Sequence, residues 1–269
     1  MQTIKIQCPA KINLDLRVVN KRNDGFHNIE SIMQTISLYD YLKITAIDSC
    51  KTQISLDGNS SGIPYNETNL VYKAAKLYLE TTGLSANIDV YIEKNIPVSA
   101  GLAGGSTDAA GIIFGLNKLF GEKLTGKELH LLCTQLGSDL NLCLAGGRVQ
   151  TRGRGEILDP LEFKDFNVNL IKPDKLGLSA KYAYNAFSEK IKLPDVQISR
   201  KDFRNDLEWA VIDDFPQLLK IKSKYPSAIM TGSGSTYFST EEEFKKEAGY
   251  WIKNGLKAIK YGVKIADDQ

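Results

Sequence analysis

Residues 97–110 read PVSAGLAGGSTDAA, and their types and spacing suit the binding of a phosphate. Gly101, Gly104 and Gly105 permit tight turns and let main-chain N–H groups approach an anion closely. Ser106 and Thr107 stand where a helix is expected to begin. A helix start offers unpaired N–H groups and a partial positive charge, both favourable to phosphate. The two hydroxyls would also reach a magnesium ion held by such phosphates. A plainer reading is open too: glycines that permit a tight helix entry, with Ser106 as an ordinary N-cap. A Walker A loop, GxxxxGK[ST], is excluded, because the sixth position from Gly101 is Ser106 and no lysine follows it. The GxGxxG fingerprint is not matched, and the chain has neither HRD nor DFG.

A cradle of this kind needs a strand to deliver it and a helix to leave it. Ile88–Glu93 alternates apolar and polar residues as a half-buried strand, and an apolar helix is expected from about Ser106 to Phe120. Another follows Thr125 and runs to about Leu136. Upstream, Glu67–Thr81 puts Leu70, Ala74, Leu77 and Tyr78 on one face of a helix that stops at Gly83. Ile4–Cys8 and Ile12–Val18 read as strands broken at Pro9, with Asn20–Gly25 as a polar turn. Tyr39–Ile47 and Thr52–Leu56 read as strands, and Asn59–Pro64 as a loop. Downstream, Asp159–Lys164 is expected to be a connection with Pro160 as breaker, and Asn167–Lys172 a strand. Helices are expected over Ser179–Phe187, Leu207–Asp213, Phe215–Lys222 and Glu241–Asn254. Short strands are expected over Ala228–Thr231 and Thr236–Phe238, and a closing strand over Ala258–Ile265. Helices and strands mix without a regular βαβ rhythm, which indicates an α+β fold.

At about 150 residues per domain, the 269 residues correspond to roughly two domains. Apolar residues make up 42%, enough for a real core, and a net charge of +2 leaves no footprint for nucleic acid. The longest nearly apolar run, Ala109–Leu116, is too short to cross a bilayer, so no membrane partner is expected. The first residues, MQTIKIQCPAKI, lack the apolar stretch of a signal peptide. Cys8, Cys50, Cys133 and Cys143 form no CxxC, and only His27 and His130 could join them, so no protein-held metal is expected. Lone cysteines in a chain of this length suit a reducing cytoplasm.

The 97–107 segment resembles the second motif of the GHMP kinases, P-x-x-x-G-L-G-[SG]-S-[SA], a family named for galactokinase, homoserine kinase, mevalonate kinase and phosphomevalonate kinase. Further stretches agree in the family's order: PAKINL (Pro9–Leu14), NDGFHNIES (Asn23–Ser31), GSDLNLCLAGG (Gly137–Gly147), GRGEILDPL (Gly153–Leu161) and TGSGST (Thr231–Thr236). PAKINL, DGFH and GRGEILDPL together resemble the branch of the non-mevalonate isoprenoid route. That branch phosphorylates an alcohol carrying cytidine diphosphate. A relative acting on mevalonate or homoserine, and one that only binds ligand, remain alternatives.

The resemblance implies a two-domain GHMP kinase fold. Its N-terminal ATP-binding domain, residues 1–155, would be similar to ribosomal protein S5. Its C-terminal substrate domain, residues 156–269, would be ferredoxin-like, with the active site in the cleft between. It implies ATP and Mg2+ as cofactors, a small-molecule substrate as partner, and a monomer or weak homodimer. It implies Lys11 and Asp139 as the catalytic pair, although a strand lysine and a turn aspartate need no such role. The nucleotide would lie on Pro97, Val98, Ser99, Ala100, Gly101, Leu102, Ala103, Gly104, Gly105, Ser106 and Thr107, with Asn69 and Lys94 near adenine and ribose. Asn69 would equally suit a helix first turn, and Lys94 a solvated strand end. Asn13, Phe26, His27 and Tyr184 would bind substrate, the cytosine lying between Phe26 and Tyr184 with His27 reading its edge. His130 is expected to be structural. Ala103 stands where the family usually has Gly, so a conformation with φ > 0 is not expected there. Thr107 replaces a usual Ser and keeps the hydroxyl. Asn141-Leu142-Cys143 replaces Pro-Phe-Phe and leaves the path behind Asp139 open.

Overall fold

The structure, a computed structural model, describes residues 1–194, 197–198 and 201–267. Two long strands, Gln2–Lys21 (β1) and His27–Asp48 (β2), pair antiparallel around the Asp24-Gly25 turn. Gln53–Gly58 (β3), Leu70–Thr82 (α1) and Ala86–Glu93 (β4) follow, then Gly104–Leu119 (α2), Gly126–Leu136 (α3) and Leu140–Ala145 (α4). Arg148–Arg152 (β5), Ile157–Pro160 (β6), Asn167–Pro173 (β7) and Ala180–Lys190 (α5) come next. The chain continues through Asp206–Val211 (α6), a 3-10 turn at Ile212–Asp214 and Pro216–Lys224 (α7). It closes with Ile229–Met230 (β8), Tyr237–Ser239 (β9), Tyr250–Lys257 (β10) and Lys264–Ile265 (β11). The expected α+β class is what forms.

Seven strands make one sheet in the order β11-β1-β2-β4-β3, with β5 added to β2 and β6 to β5. Only β3 and β4 run parallel within it. The other sheet is antiparallel, in the order β10-β7-β9-β8. Local chemistry marks the helix ends. Asn69 Oδ1 accepts the Val71 N–H at 2.9 Å to start α1, and Gly83, at φ 69°, stops it. Thr125 and Glu128 form a reciprocal capping box on α3.

Strand β1 threads three apolar clusters. Ile6 packs with Leu42, Ile44 and the inner faces of α1 and α2. Ala10 and Ile12 pack with Ile36, Leu170 and Phe238 between the sheets. Leu16 and Val18 join Leu207, Val211 and Tyr237 in the helix-rich cluster. The expected break at Pro9 does not occur. Pro9 lies opposite Tyr39 and Ala10 opposite Ile36, so the register shifts where a residue without an N–H can be tolerated. Lys11 and Asn13 follow this shift, on the opposite side of the strand from Ala10 and Ile12.

Three expectations need correction. No helix covers Glu241–Asn254: Phe244 is buried at 2% exposure, and its N–H and C=O are bonded by the Asn254 amide at 3.2 and 2.9 Å. That anchor holds 241–249 irregular and starts β10, overriding a helix-forming composition. The closing strand shrinks to a bridge from Ala258 to Ile36 and to β11 on β1. Asp159 and Pro160 lie in β6, which pairs only with β5 and can hold a proline on its free edge. Among the described residues, no helix is long and apolar enough to cross a membrane.

The chain end is locked against the turn after α4. An added Cβ at Gly146, φ 73°, would lie 1.9 Å from Gly262 N and from Tyr261 C. Gly146→Ala is expected to cost about 3 kcal/mol or more in urea unfolding, combining backbone clash with left-handed strain.

Candidate active site

A cavity of about 810 Å³ is walled by β1, the segment 97–106, the start of α4, the first turn of α5 and the 232–233 turn. Lys11 and Asp139 meet in its lining, with Nζ 3.7 Å from Oδ2. The Lys11 side chain is only 4% exposed, whereas that of Asp139 is 31% exposed, so the carboxylate is the member open to a ligand. Lys11 is held by a chain of bonds. Its Nζ donates to Asn13 Oδ1 at 2.7 Å, and Asn13 Nδ2 donates to Ser31 Oγ at 2.8 Å. The Asn13 N–H reaches Thr231 Oγ1 at 2.9 Å, which ties the pair to the TGSGST turn. Asn13 lines the cavity while its amide serves Lys11 and Ser31.

The segment behind Asp139 is α4. Cys143 N bonds the Asp139 carbonyl at 3.0 Å. Asn141, at the first of the three departures from the family pattern, donates to Thr134 at 2.8 Å and faces His130 Nδ1 at 3.2 Å. The polar side chain is thus satisfied by α3, and His130 sits in a structural bond.

The glycine-rich segment enters α2 without a side-chain cap. Ala103, not Ser106, is the N-cap residue, so the first N–H groups of α2 receive no side-chain oxygen. Ala103 takes φ 59°, contrary to the expectation that its methyl rules out a left-handed turn. A single alanine there costs about 1–2 kcal/mol. The segment also abuts the 231–235 turn. An added Cβ on Gly101, φ 73°, would lie 2.1 Å from the Thr231 carbonyl oxygen. Leu102 and Thr107 turn away into the protein at 1% and 0% exposure, while the other residues from Pro97 to Ser106 line the cavity.

Lys94 is neither a solvated strand end nor a free cation. Its Nζ bonds Asp40 Oδ2 and, at 2.8 Å, Asp108 Oδ2, with all three side chains at 5% exposure or less. Asp40 Oδ1 also accepts the N–H groups of Asn95 and Ile96 at 2.6 and 2.8 Å. A Cβ on Gly104 would lie 3.1 Å from Lys94 Nζ, so the ammonium underlies the first residue of α2. Burial raises both carboxyl pKa values, Asp108 to about 7, against the opposing pull of Lys94. Asp40 and Asp108 were not among the residues inferred from sequence. A signal existed for Asp40, because Leu38, Leu42 and Ile44 share its strand parity and all face inward. Asn69, by contrast, is the N-cap of α1 and also lines the cavity.

At the opposite end, neighbours on β2 and in the turn before it diverge. His27 is buried, its ring parallel to Tyr184 at 5.0 Å and 17°, with Nε2 2.9 Å from Ser188 Oγ. Burial lowers the His27 pKa, so the neutral ring is favoured. Phe26 points out at 53% exposure, beneath the Arg154 guanidinium at 4.9 Å. The ring stacked on Tyr184 is His27, while Phe26 and Tyr184 both line the cavity. Asp139 lies near enough to add to the upward shift that burial gives the Tyr184 phenol. Arg154, missed from sequence, lines this end.

The model of the GHMP kinases N terminal domain matches residues 69–147, which hold α1 to α4 and the glycine-rich segment. The 4-diphosphocytidyl-2-C-methyl-D-erythritol kinase of Clostridium tetani is 40% identical over 255 residues, spanning 87% of this chain and 90% of its own. The enzyme of that name from Synechococcus is 36% identical, spanning 88% and 85%. A crystal structure of 4-(cytidine 5'-diphospho)-2C-methyl-D-erythritol kinase superposes with a TM-score of 0.74 at 26% identity, covering 95% of this chain and 99% of that one. A homoserine kinase from Cytophaga hutchinsonii shares the fold, with a TM-score of 0.71 at 18% identity over 99% and 98% of the two chains.

Lys94→Met is expected to destabilise the protein by about 3–5 kcal/mol at pH 7.5, because two buried carboxylates lose their cation. Lys94 opposes the rise that burial gives both carboxyl pKa values, so its loss raises them further and the variant gains more folded-state stability from proton uptake on acidification than the unaltered protein does. The deficit should shrink by roughly 1 kcal/mol or more at pH 5.5, as read by urea unfolding at the two pH values.

Proposed function

The chain belongs to the 4-diphosphocytidyl-2-C-methyl-D-erythritol kinase family of GHMP kinases, and from this we propose a mechanism in which Lys11 and Asp139 serve phosphoryl transfer from ATP to a substrate hydroxyl. The acceptor is 4-diphosphocytidyl-2-C-methyl-D-erythritol. The observation that carries this mechanism is the 3.7 Å approach of the Lys11 ammonium to the Asp139 carboxylate, in a cavity also walled by the uncapped start of α2.

The triphosphate lies along residues 97–106. Main-chain N–H groups of Gly104, Gly105 and Ser106 meet its oxygens, favoured by the helix start. Asn69, at the Lys94 end of the cavity, borders the nucleoside. The acceptor hydroxyl approaches Asp139, which takes its proton as the new O–P bond forms. A loose transition state asks little of a base until late, so positioning and charge supply most of the rate. Lys11 offsets negative charge on the transferring group. Asn13 and Thr231 keep its ammonium from swinging away.

Magnesium is read as entering with the nucleotide. The cavity lining offers oxygen donors, the Ser106 hydroxyl and the Asp139 carboxylate, which would suit a hard cation that keeps phosphate and water ligands. When bound, it would neutralise phosphate charge. The pyrimidine stacks on exposed Phe26, and Tyr184 with His27 forms the wall behind it. A cytoplasmic location is supported by four cysteines present as free thiols.

Asp139→Asn is expected to lower kcat by about 10²-fold or more while the fold is retained, measured with saturating ATP and the cytidine substrate. Near-normal kcat would remove Asp139 from the chemistry. Phe26→Ala is expected to raise KM for the cytidine substrate about tenfold, the low end of a lost base stack, and to leave KM for ATP within twofold. Turnover of mevalonate in place of the cytidine substrate by the unaltered protein would overturn the assignment.

A further inference from the structure

Arg154 stands at the tip of the turn between β5 and β6, partly buried and lining the cavity. The turn is pinned on two sides. The Gly153 carbonyl accepts the Ile29 N–H at 2.7 Å, which fixes it to β2 beside Phe26 and His27. On the other side, a Cβ on Gly155 would lie 3.5 Å from Ser138 Cβ, so the turn packs against the residue preceding Asp139. The Glu156 carboxylate closes the turn by accepting the Arg154 N–H at 2.6 Å. Arg154 is thus held between the aromatic end of the cavity and the Lys11–Asp139 pair.

Its guanidinium carbon lies over the Phe26 ring, 4.9 Å from the centroid. Among the described residues, no ion pair or side-chain hydrogen bond is formed by that guanidinium. The nearby acid, Asp24, feels the Arg154 charge but is bonded to Arg22, at 2.9 Å. Of the other cations lining the cavity, Lys11 is committed to Asn13 and Asp139 and Lys94 to Asp40 and Asp108, while Lys181 stands exposed on the first turn of α5. A planar five-donor cation with no acceptor of its own, steered by an aromatic ring into a ligand cavity, is suited to a phosphate.

We propose that Arg154 grips the diphosphate of the acceptor substrate, and so makes the site selective for a nucleoside diphosphate over the bare nucleoside. This rests on the reading that the acceptor joins cytidine to an alcohol through a diphosphate. With the base on Phe26 and the alcohol at Asp139, the diphosphate must cross the stretch between them, where Arg154 reaches. The Phe26 ring then serves two purposes: one face carries the guanidinium and the other is free for the pyrimidine. Arg154 sets affinity for the acceptor and leaves the ATP side untouched.

The test is calorimetric titration of the full-length protein with cytidine and with CDP, the ATP loop first saturated with a non-hydrolysable ATP analogue. The unaltered protein should bind CDP at least about tenfold more tightly than cytidine, as charge-assisted bidentate bonds allow. Arg154→Leu should remove most of that preference while cytidine affinity stays within twofold and the melting temperature is unchanged. Arg154→Lys, which keeps the charge, should retain more of the preference than Arg154→Leu. An equal loss for cytidine and CDP would mean that the guanidinium only steadies Phe26, and a preserved preference would mean that it touches no phosphate; either result overturns the proposal. If the unaltered protein binds the ATP analogue but neither cytidine nor CDP, the acceptor reading itself fails and takes this proposal with it.

Discussion

Three separated stretches of chain meet where Gly101 presses against the Thr231 carbonyl, and the rest of the site is built outward from that contact. The approach leaves no room for a side chain at residue 101. It brings the glycine-rich segment, the TGSGST turn and β1 together: Lys11 N bonds the Leu102 carbonyl at 3.2 Å, and Thr231 Oγ1 serves Asn13. Further bonds from Thr236 N to Ala100 and from Leu178 N to Ser99 extend the seam toward α5. The seven-stranded sheet and the four-stranded sheet are thereby referenced to one another. Any substitution that opens this seam moves the lysine and the phosphate-facing amides together, because both depend on the same few bonds.

Charge is distributed along the cavity according to burial. Lys94 is buried and held by two carboxylates, so its role toward α2 is mechanical as much as electrostatic. Two acids and one base leave a net negative cluster, and burial raises both carboxyl pKa values in response. Lys11 is equally buried but faces a partly exposed carboxylate, which leaves it able to answer charge arriving from a ligand. Arg154 is the most accessible of the three and, among the described residues, forms no ion pair. This gradient, from saturated to unsatisfied cation, runs from the helix start to the aromatic end.

Much of this arrangement was legible in the residues, and the failures share one cause. Local signals worked where the chain itself supplies the partner: Asn69 and Gly83 bounding α1, the Thr125 cap, the Asp24-Gly25 turn. The resemblance to GHMP kinases supplied Lys11 and Asp139, which no spacing would have joined across more than a hundred residues. Misreadings arose where a distant residue decided the conformation. Asn254 holds Phe244 and prevents a helix that composition favours. The stack of His27 on Tyr184 and its contact with Ser188, 161 positions away, had no local signal either. Lys94 looked like a strand end because Asp40 lies 54 positions away in sequence.

Ala103 shows why the phosphate-facing segment must be stiff as well as correctly shaped. A left-handed alanine is costly, and glycine would relieve that cost. The conformation persists because its surroundings fix it: Lys94 supports Gly104 on one side, Gly101 is wedged against Thr231 on the other, and Thr107 N bonds the Ala103 carbonyl at 2.9 Å. Glycine at 103 would make the unfolded chain freer and the loop softer, whereas alanine narrows what the segment can do when empty. Amides that already point at the phosphate need no reorganisation when it arrives, and in phosphoryl transfer such preorganisation is most of what a protein can contribute. The strain at residue 103 is thus consistent with a loop whose value lies in not moving.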